Sequence, residues 1–148
     1  FSYEQMCQGQ THMEAIMKEY KRRMDAASNK EPGAQPLSNK EELAYGDMRV
    51  VQEMYARGFE FEPIDIFRAQ SRSFQIVDGK LMPSLSSIDG LGEKAADAIV
   101  EAAKDGPFLS KDDFRERTKV SKTVVDLMAE LGLLGDLPES NQLSLFDF

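Results

Sequence analysis

The 148-residue sequence contains a single cysteine, a single histidine and no tryptophan. One cysteine cannot form an internal disulfide, which excludes a disulfide-stapled secreted fold. No apolar run approaches the roughly 20 residues that a membrane-spanning helix needs, and the N-terminus lacks a signal-peptide pattern. Cys7 and His12 are too few to build a metal site. These absences predict a cytoplasmic chain with no membrane segment and no metal or cofactor of its own.

Positive charge is also scarce, with 18 Lys and Arg residues against 26 Asp and Glu and a net charge of −8. A protein that coats nucleic acid normally relies on clustered Lys and Arg, so a broad basic face is excluded. The basic residues that exist are concentrated in residues 18–30 and 115–122. Any contact with DNA must therefore be local and must depend on geometry more than on total charge.

The first part of the chain is predicted to be helical. Periodic apolar residues predict a helix over residues 12–27, with a capping box at Thr11 and Glu14. Pro and Gly residues over 28–39 predict a flexible linker. The outer face of the helix carries four basic residues that either contact DNA or only face solvent: Lys18, Lys21, Arg22 and Arg23.

A second helix is predicted over about residues 40–57, capped by Ser38 with Glu41. Four of its apolar side chains are expected to be buried: Leu43, Val50, Val51 and Met54. Alternating Phe and Glu residues over 59–62 then predict a short strand. Further along, Asp78-Gly79 between two apolar runs predicts a β-hairpin with a type I′ turn.

Beyond residue 84 the pattern is helical again. Three short helices are predicted: one ends before Gly106, one opens with Ser110, and one is capped by Ser121. Asp112 and Asp113 are interpreted as the acidic first turn of a helix, and no acidic group has the spacing of a two-metal catalytic site. The predicted fold is therefore mainly α with a small β-hairpin.

Residues 88–96, Ile-Asp-Gly-Leu-Gly-Glu-Lys-Ala-Ala, carry the most specific internal pattern. Two glycines flank an apolar residue directly before a helix. Several backbone N–H groups there point the same way and lie at the positive end of the helix dipole. Side chains in place of Gly90 and Gly92 would block a phosphate from those N–H groups. Lys94 can add one charge contact, and Leu91 anchors the turn. The alternative is a glycine turn that only starts a helix and packs internally.

This segment resembles the helix-hairpin-helix motif, whose members bind the DNA backbone without reading base sequence. The resemblance implies DNA contacts by Gly90, Leu91, Gly92 and Lys94. A second, degenerate hairpin is expected at residues 118–123, where two further residues are candidates for phosphate contact: Lys119 and Lys122. Because this segment lacks the glycines, its contact with phosphate stays open.

The last residues contain Gln142-Leu143-Ser144-Leu145-Phe146 within a polar segment predicted to be a flexible tail. Large apolar side chains at such a position suggest a linear motif that a partner receives, although they could instead pack back onto the domain. The pentapeptide matches, at every position, the peptide by which bacterial proteins bind the β sliding clamp. The resemblance implies that Leu145 and Phe146 fill the clamp pocket while Gln142 sets the register.

The order of these parts resembles the C-terminal region of PolC-type bacterial DNA polymerase III α subunits. The resemblance implies three regions: the helical end of the fingers and a linker at 1–38, a duplex-binding domain with tandem hairpins at 39–138, and a clamp-binding tail at 139–148. The stop two residues after the pentapeptide favours the PolC type, and the start at Phe1 favours a fragment.

The resemblance further implies a parent DNA-directed DNA polymerase with Mg²⁺ in its palm domain and a proofreading exonuclease, none of it within these residues. The expected partners are primer–template DNA, the sliding clamp and, through the parent, other replisome subunits. Two other functions stay open at this stage. One is an accessory helix-hairpin-helix domain of a DNA-repair enzyme, and the other is a pure protein-interaction domain.

Overall fold

The structure, a computed structural model, describes residues 2–140. It is mainly helical with one two-stranded β-hairpin, which confirms the predicted fold class. The chain forms two compact units, Phe1–Phe61 and Glu62–Phe148. Within residues 2–140, no helix combines the length and the apolar character needed to cross a membrane.

The first unit contains three helices: α1 (Tyr3–Cys7), α2 (Gln10–Ser28) and α3 (Asn39–Ala56). The second and third correspond closely to the two helices predicted here. Helices α2 and α3 pack against each other, and the compact units divide after Phe61. The regions at 1–38, 39–138 and 139–148 stay predictions.

The buried face of α3 repeats at helical spacing through Ala44, Met48, Val51 and Tyr55. Against it pack two methionines of α2, Met13 and Met17. Leu43 and Val50 were predicted to be buried, but their exposed fractions are 73% and 63%. Each lies one residue, or about 100° of helix rotation, away from a core position. At these two positions, the predicted buried face of α3 is therefore offset by one residue from the observed one.

The capping box of α3 is confirmed in both directions. Ser38 Oγ accepts a hydrogen bond from the Glu41 N–H at 3.2 Å, and the Glu41 carboxylate accepts one from the Ser38 N–H at 3.1 Å. The capping box predicted at Thr11 is wrong. Helix α2 already begins at Gln10, so Thr11 lies inside it and the cap position falls on Gly9.

Arg23 of α2 anchors the segment between α2 and α3. Its guanidinium donates to Glu41 at 2.8 Å and to the carbonyl oxygens of Gln35 and Pro36 at 3.0 and 3.1 Å. The hydrogen bond from Arg23 holds the pKa of Glu41 down to about 2. The predicted flexible linker is thus tied to both helices. Two other basic residues of α2 pair within the helix: Lys21 with Asp25 and Arg22 with Glu19.

In the second unit, β1 (Gln75–Val77) and β2 (Lys80–Met82) form an antiparallel hairpin. Asp78 and Gly79 both have positive φ, at 52° and 77°, as a type I′ turn requires. The predicted hairpin is confirmed. The strand predicted at residues 59–62 is reduced to one bridging residue.

After the β-hairpin, the described part of the second unit contains a 3₁₀ turn at Leu85–Ser87 and three helices, α4 (Glu93–Ala103), α5 (Lys111–Thr118) and α6 (Lys122–Glu130). Their core is built from side chains with almost no exposed surface: Leu85, Ile88, Ala96, Ile99, Phe114 and Met128. The two predicted serine caps are confirmed. Ser110 Oγ accepts from the Asp113 N–H at 2.9 Å, and Ser121 Oγ accepts from the Val124 N–H at 3.3 Å.

Arg117 of α5 connects this core to the C-terminal end of α4. It donates to the carbonyl oxygens of Ala102, Gly106 and Pro107 at 2.7, 2.9 and 2.8 Å. Its guanidinium also lies 4.3 Å from the centre of the Phe108 ring. One planar group therefore satisfies three carbonyl groups at and just beyond the helix end, a role that no other side chain geometry fills as well.

We expect Arg117→Ala to lower the free energy of unfolding of the second unit by about 2–4 kcal/mol, because the carbonyl groups of buried Ala102, half-buried Gly106 and exposed Pro107 would lose a charged donor. Arg117→Lys should recover little, since an ammonium group cannot form the same fork. Arg115→Ala, an exposed change on the same helix, is the matched control.

Urea unfolding followed by far-UV circular dichroism measures this effect. All four tyrosines lie in the first unit, so tyrosine fluorescence reports that unit separately and should be unaffected. Equal stability of the Arg117→Ala and Arg115→Ala variants would contradict the assigned role.

Candidate nucleic-acid interface

The glycine hairpin, defined here as residues 88–92, connects the 3₁₀ turn to α4. Ile88 and Leu91 are both buried, with exposed fractions of 1% and 5%, and the Leu91 N–H donates to the Ile88 carbonyl oxygen at 3.1 Å. The two apolar side chains therefore fix the turn in the core, as predicted. The backbone between and after them is left at the surface, where Gly90, Gly92 and Lys94 are exposed.

Gly90 is required by the structure of this chain itself. Its φ of +89° lies in the region that favours glycine. A Cβ atom at this position would also approach Leu127 Cδ2 of α6 to 3.3 Å. Both the backbone conformation and close packing on α6 therefore account for this glycine without any ligand.

Gly92 differs, because nothing within the described part of the chain requires it. Its φ and ψ of −72° and 163° are ordinary extended values that any residue adopts. A Cβ atom there would meet no atom within 4 Å. Gly92 is the N-cap of α4 and provides no side-chain cap, so it leaves the first-turn N–H groups facing open space at the positive end of the dipole.

A second hairpin, defined here as residues 119–121, connects α5 to α6 with the same backbone design. Its N-cap, Ser121, has φ and ψ of −70° and 161°, close to those of Gly92. Lys119 has a φ of 60°, which corresponds to the positive φ of Gly90. Between them Val120 is buried, as Leu91 is in the first hairpin.

The helices that follow the two hairpins also bury equivalent positions. Four and seven residues after the N-cap, α4 buries Ala96 and Ile99, and α6 buries Val125 and Met128. Residues 88–130 therefore contain two copies of one hairpin-and-helix arrangement, and the approach of Gly90 to Leu127 places the first hairpin beside α6. The degenerate second hairpin expected from the sequence has this geometry.

The two hairpins differ in their polar groups. At the second hairpin, the Ser121 hydroxyl already accepts a hydrogen bond from the Val124 N–H. Lys119 and Lys122 are exposed on either side of Ser121. At the first, Gly92 leaves the helix start uncapped by a side chain. The first hairpin thus offers mainly backbone donors and the second mainly charge.

The residues predicted from sequence fall into three groups. Gly90, Leu91, Gly92 and Lys94 lie on the first hairpin and its helix, and Lys119 and Lys122 lie on the second. Gln142, Leu143, Ser144, Leu145 and Phe146 lie outside the described residues. Within residues 2–140, no group of three His, Cys, Asp or Glu side chains could hold a metal ion.

One residue beside the first hairpin was missed by the sequence prediction. Arg72 lies 3.5 Å from Glu93 and 2.9 Å from Asp97, both on the first turns of α4. Because Arg72 is some 20 residues earlier in the chain and part of no local motif, only the tertiary fold brings it here.

Comparisons with known proteins agree with this geometry. A family model described as "Helix-hairpin-helix motif" matches residues 58–143. The chain is 43% identical over 135 residues to a DNA polymerase III PolC-type of Streptococcus pneumoniae serotype 2, covering 91% of this chain and 9% of that protein. It is 39% identical over 146 residues to the DNA polymerase III PolC-type of Bacillus cereus, covering 99% of this chain and 10% of that protein.

The PolC-type DNA polymerase III of Caldanaerobacter subterraneus subsp. tengcongensis is 48% identical over 99 residues, which is 67% of this chain and 7% of the relative. The chain thus spans no more than about a tenth of the length of these relatives. The family model covers more than half of the chain, and it includes both hairpins. The chain therefore belongs to the helix-hairpin-helix family, and over most of its length it is homologous to a segment of PolC-type DNA polymerase III.

Proposed function

We propose that the second unit binds the backbone of duplex DNA without sequence preference. The contacts are made by the glycine hairpin at residues 88–92 and the second hairpin at residues 119–121. The observation that carries this proposal is the free space at Gly92, where neither backbone conformation nor packing calls for a glycine. A phosphate bound at the first-turn N–H groups would account for the glycine, because a side chain at this position would keep the phosphate oxygen from those groups.

The same proposal accounts for the acidic composition. Backbone N–H groups at the first hairpin replace part of the charge that phosphate binding otherwise takes from Lys and Arg. Lys94, Lys119 and Lys122 then supply a small, local set of cations. The net charge of −8 is compatible with DNA binding when so few phosphates are contacted.

We further propose that the parent protein is a replicative DNA-directed DNA polymerase with Mg²⁺-dependent catalysis and a proofreading exonuclease outside these residues. The similarity to PolC-type DNA polymerase III supports this parent and disfavours a repair enzyme. In this proposal, Gln142–Phe146 binds the sliding clamp. Two modest contacts on one chain, one to DNA and one to the clamp, raise the combined affinity by roughly 10² to 10⁴.

Salt-dependent binding to a fluorescein-labelled duplex tests the DNA proposal. We expect a shallow dependence, with two to four phosphates neutralised and a log–log slope of roughly −2 to −4. Two duplexes of unrelated sequence should bind equally. Lys119→Gln with Lys122→Gln should make the slope shallower by about 2, whereas Lys30→Gln with Lys40→Gln, from the first unit, should leave it unchanged. Equal slopes for the two double variants would argue against the second hairpin as a phosphate contact.

A further inference from the structure

Arg72 is held in a fixed place beside the glycine hairpin. Its Nη2 donates to Asp97 at 2.9 Å, and Ser71 Oγ donates to the same carboxylate. The backbone just before Arg72 is tied down as well, because the Leu85 N–H donates to the Gln70 carbonyl oxygen and the Ser86 N–H to the Ser71 carbonyl oxygen, both at 2.9 Å. The hydrogen bonds from Ser71 and Arg72 lower the pKa of Asp97, which keeps this anchor ionised.

Glu93 presents an electrostatic problem for a phosphate-binding site. It is the first residue of α4 and follows Gly92 directly. A carboxylate here is favourable to the helix dipole, but it repels the phosphate that the same end of the helix would attract. Arg72 Nη1 lies 3.5 Å from the Glu93 carboxylate, while more than half of the Arg72 side chain stays exposed.

The second hairpin supplies an internal comparison. The residue that follows its N-cap, equivalent to Glu93, is Lys122. That hairpin therefore has a cation where the first hairpin has an acid. At the first hairpin the acid is instead paired with Arg72, a cation that the preceding segment brings to it.

We infer that Arg72 neutralises Glu93 at the entrance of the glycine hairpin and so keeps the start of α4 attractive to a DNA phosphate. This inference rests on the proposed DNA binding of the second unit. Arg72 is a positioning residue for charge at this site. Arg68, four residues earlier, pairs instead with Asp65 at 3.0 Å and with Asp78 at 3.8 Å.

A double-mutant cycle that neutralises Arg72 and Glu93 in the 148-residue chain tests the inference, with duplex affinity measured at about 0.1 M salt. We expect Arg72→Gln to weaken binding roughly three- to fivefold, the range typical of one partly exposed charge. Arg72→Gln with Glu93→Gln should return to within about twofold of the wild type, because removing the acid removes the need for the cation. Arg68→Gln is the matched control and should bind like the wild type.

Two outcomes would overturn the inference. One is wild-type affinity for Arg72→Gln. The other is a double variant as weak as Arg72→Gln alone, which would make Arg72 a direct phosphate contact and not a neutralising group. Thermal unfolding of each variant checks that the exposed changes leave the fold intact. Gly92→Val separates a failure of the role of Arg72 from a failure of the proposed DNA binding. If Gly92→Val also binds DNA as the wild type does, the proposed function itself fails.

Discussion

Gly92→Val is expected to weaken duplex-DNA binding by at least about tenfold while the second unit stays folded. The backbone at Gly92 has values that valine adopts readily, and a Cβ atom there would meet no atom within 4 Å. The added methyl groups would occupy the space in front of the first-turn N–H groups of α4. Hydrogen bonds to a charged partner contribute about 1.5–3 kcal/mol each, so the loss of one accounts for the expected effect.

Of the two glycines, Gly92 is the one whose substitution separates loss of DNA binding from damage to the fold. Gly90→Val would force a positive φ on valine and press against Leu127, so a loss of binding there could reflect damage to the fold. Gly46→Val, in open space on α3 of the first unit, is the matched control. DNA affinity measured by fluorescence anisotropy should fall for Gly92→Val and stay constant for Gly46→Val. Equal affinities for both would show that the hairpin does not bind the backbone.

Leu145→Ala with Phe146→Ala is expected to reduce binding to a bacterial sliding clamp by at least about 100-fold. Two large apolar anchors of a short peptide typically contribute about 2 kcal/mol or more each. Duplex affinity should be unchanged, because these residues are separate from both hairpins in sequence. Binding of the chain to immobilised clamp measures the effect, with Asp147→Asn as the control. If the double variant bound as well as the wild type, the pentapeptide would not be a clamp motif.

An apolar cavity of about 390 Å³ in the second unit offers an alternative receptor for these side chains within the same chain. Its lining includes Ile64, Phe67, Phe108, Leu133, Leu134 and Leu137. A synthetic peptide of residues 139–148 separates the two possibilities. Equal clamp affinities of the peptide and the 148-residue chain are expected if the pentapeptide is available to the clamp. A peptide that binds much more tightly than the chain would indicate internal competition for the motif.

The parts of the fold that sequence predicted well are those decided within a few residues. The Asp78-Gly79 turn, the Ser38 and Ser121 caps and the glycine hairpin each depend on local backbone preferences and local hydrogen bonds. The degenerate second hairpin was also expected, and the match between Ser121 and Gly92 in backbone angles gives it a geometric basis.

The parts that sequence could not predict depend on long-range packing. Leu43 and Val50 fit a helical repeat as well as the true core residues do, and only the position of α2 decides which face is buried. Arg117 belongs to the basic segment at residues 115–122, but its role could not be predicted, because its donors are used on three carbonyl groups near the end of α4. Arg72 reaches Glu93 only because the segment before β1 returns to α4.

Backbone binding by the glycine hairpin can be tested directly by an amide-resolved titration of the ¹⁵N-labelled chain with a short duplex. We expect the largest chemical-shift changes at the N–H groups of residues 90–95, with a second, smaller set at residues 119–123. In Gly92→Val the first set should be lost while the second remains. Duplex binding that leaves the amides of residues 90–95 unchanged, with shifts confined to other surfaces, would contradict the claim that backbone donors of the glycine hairpin hold the DNA.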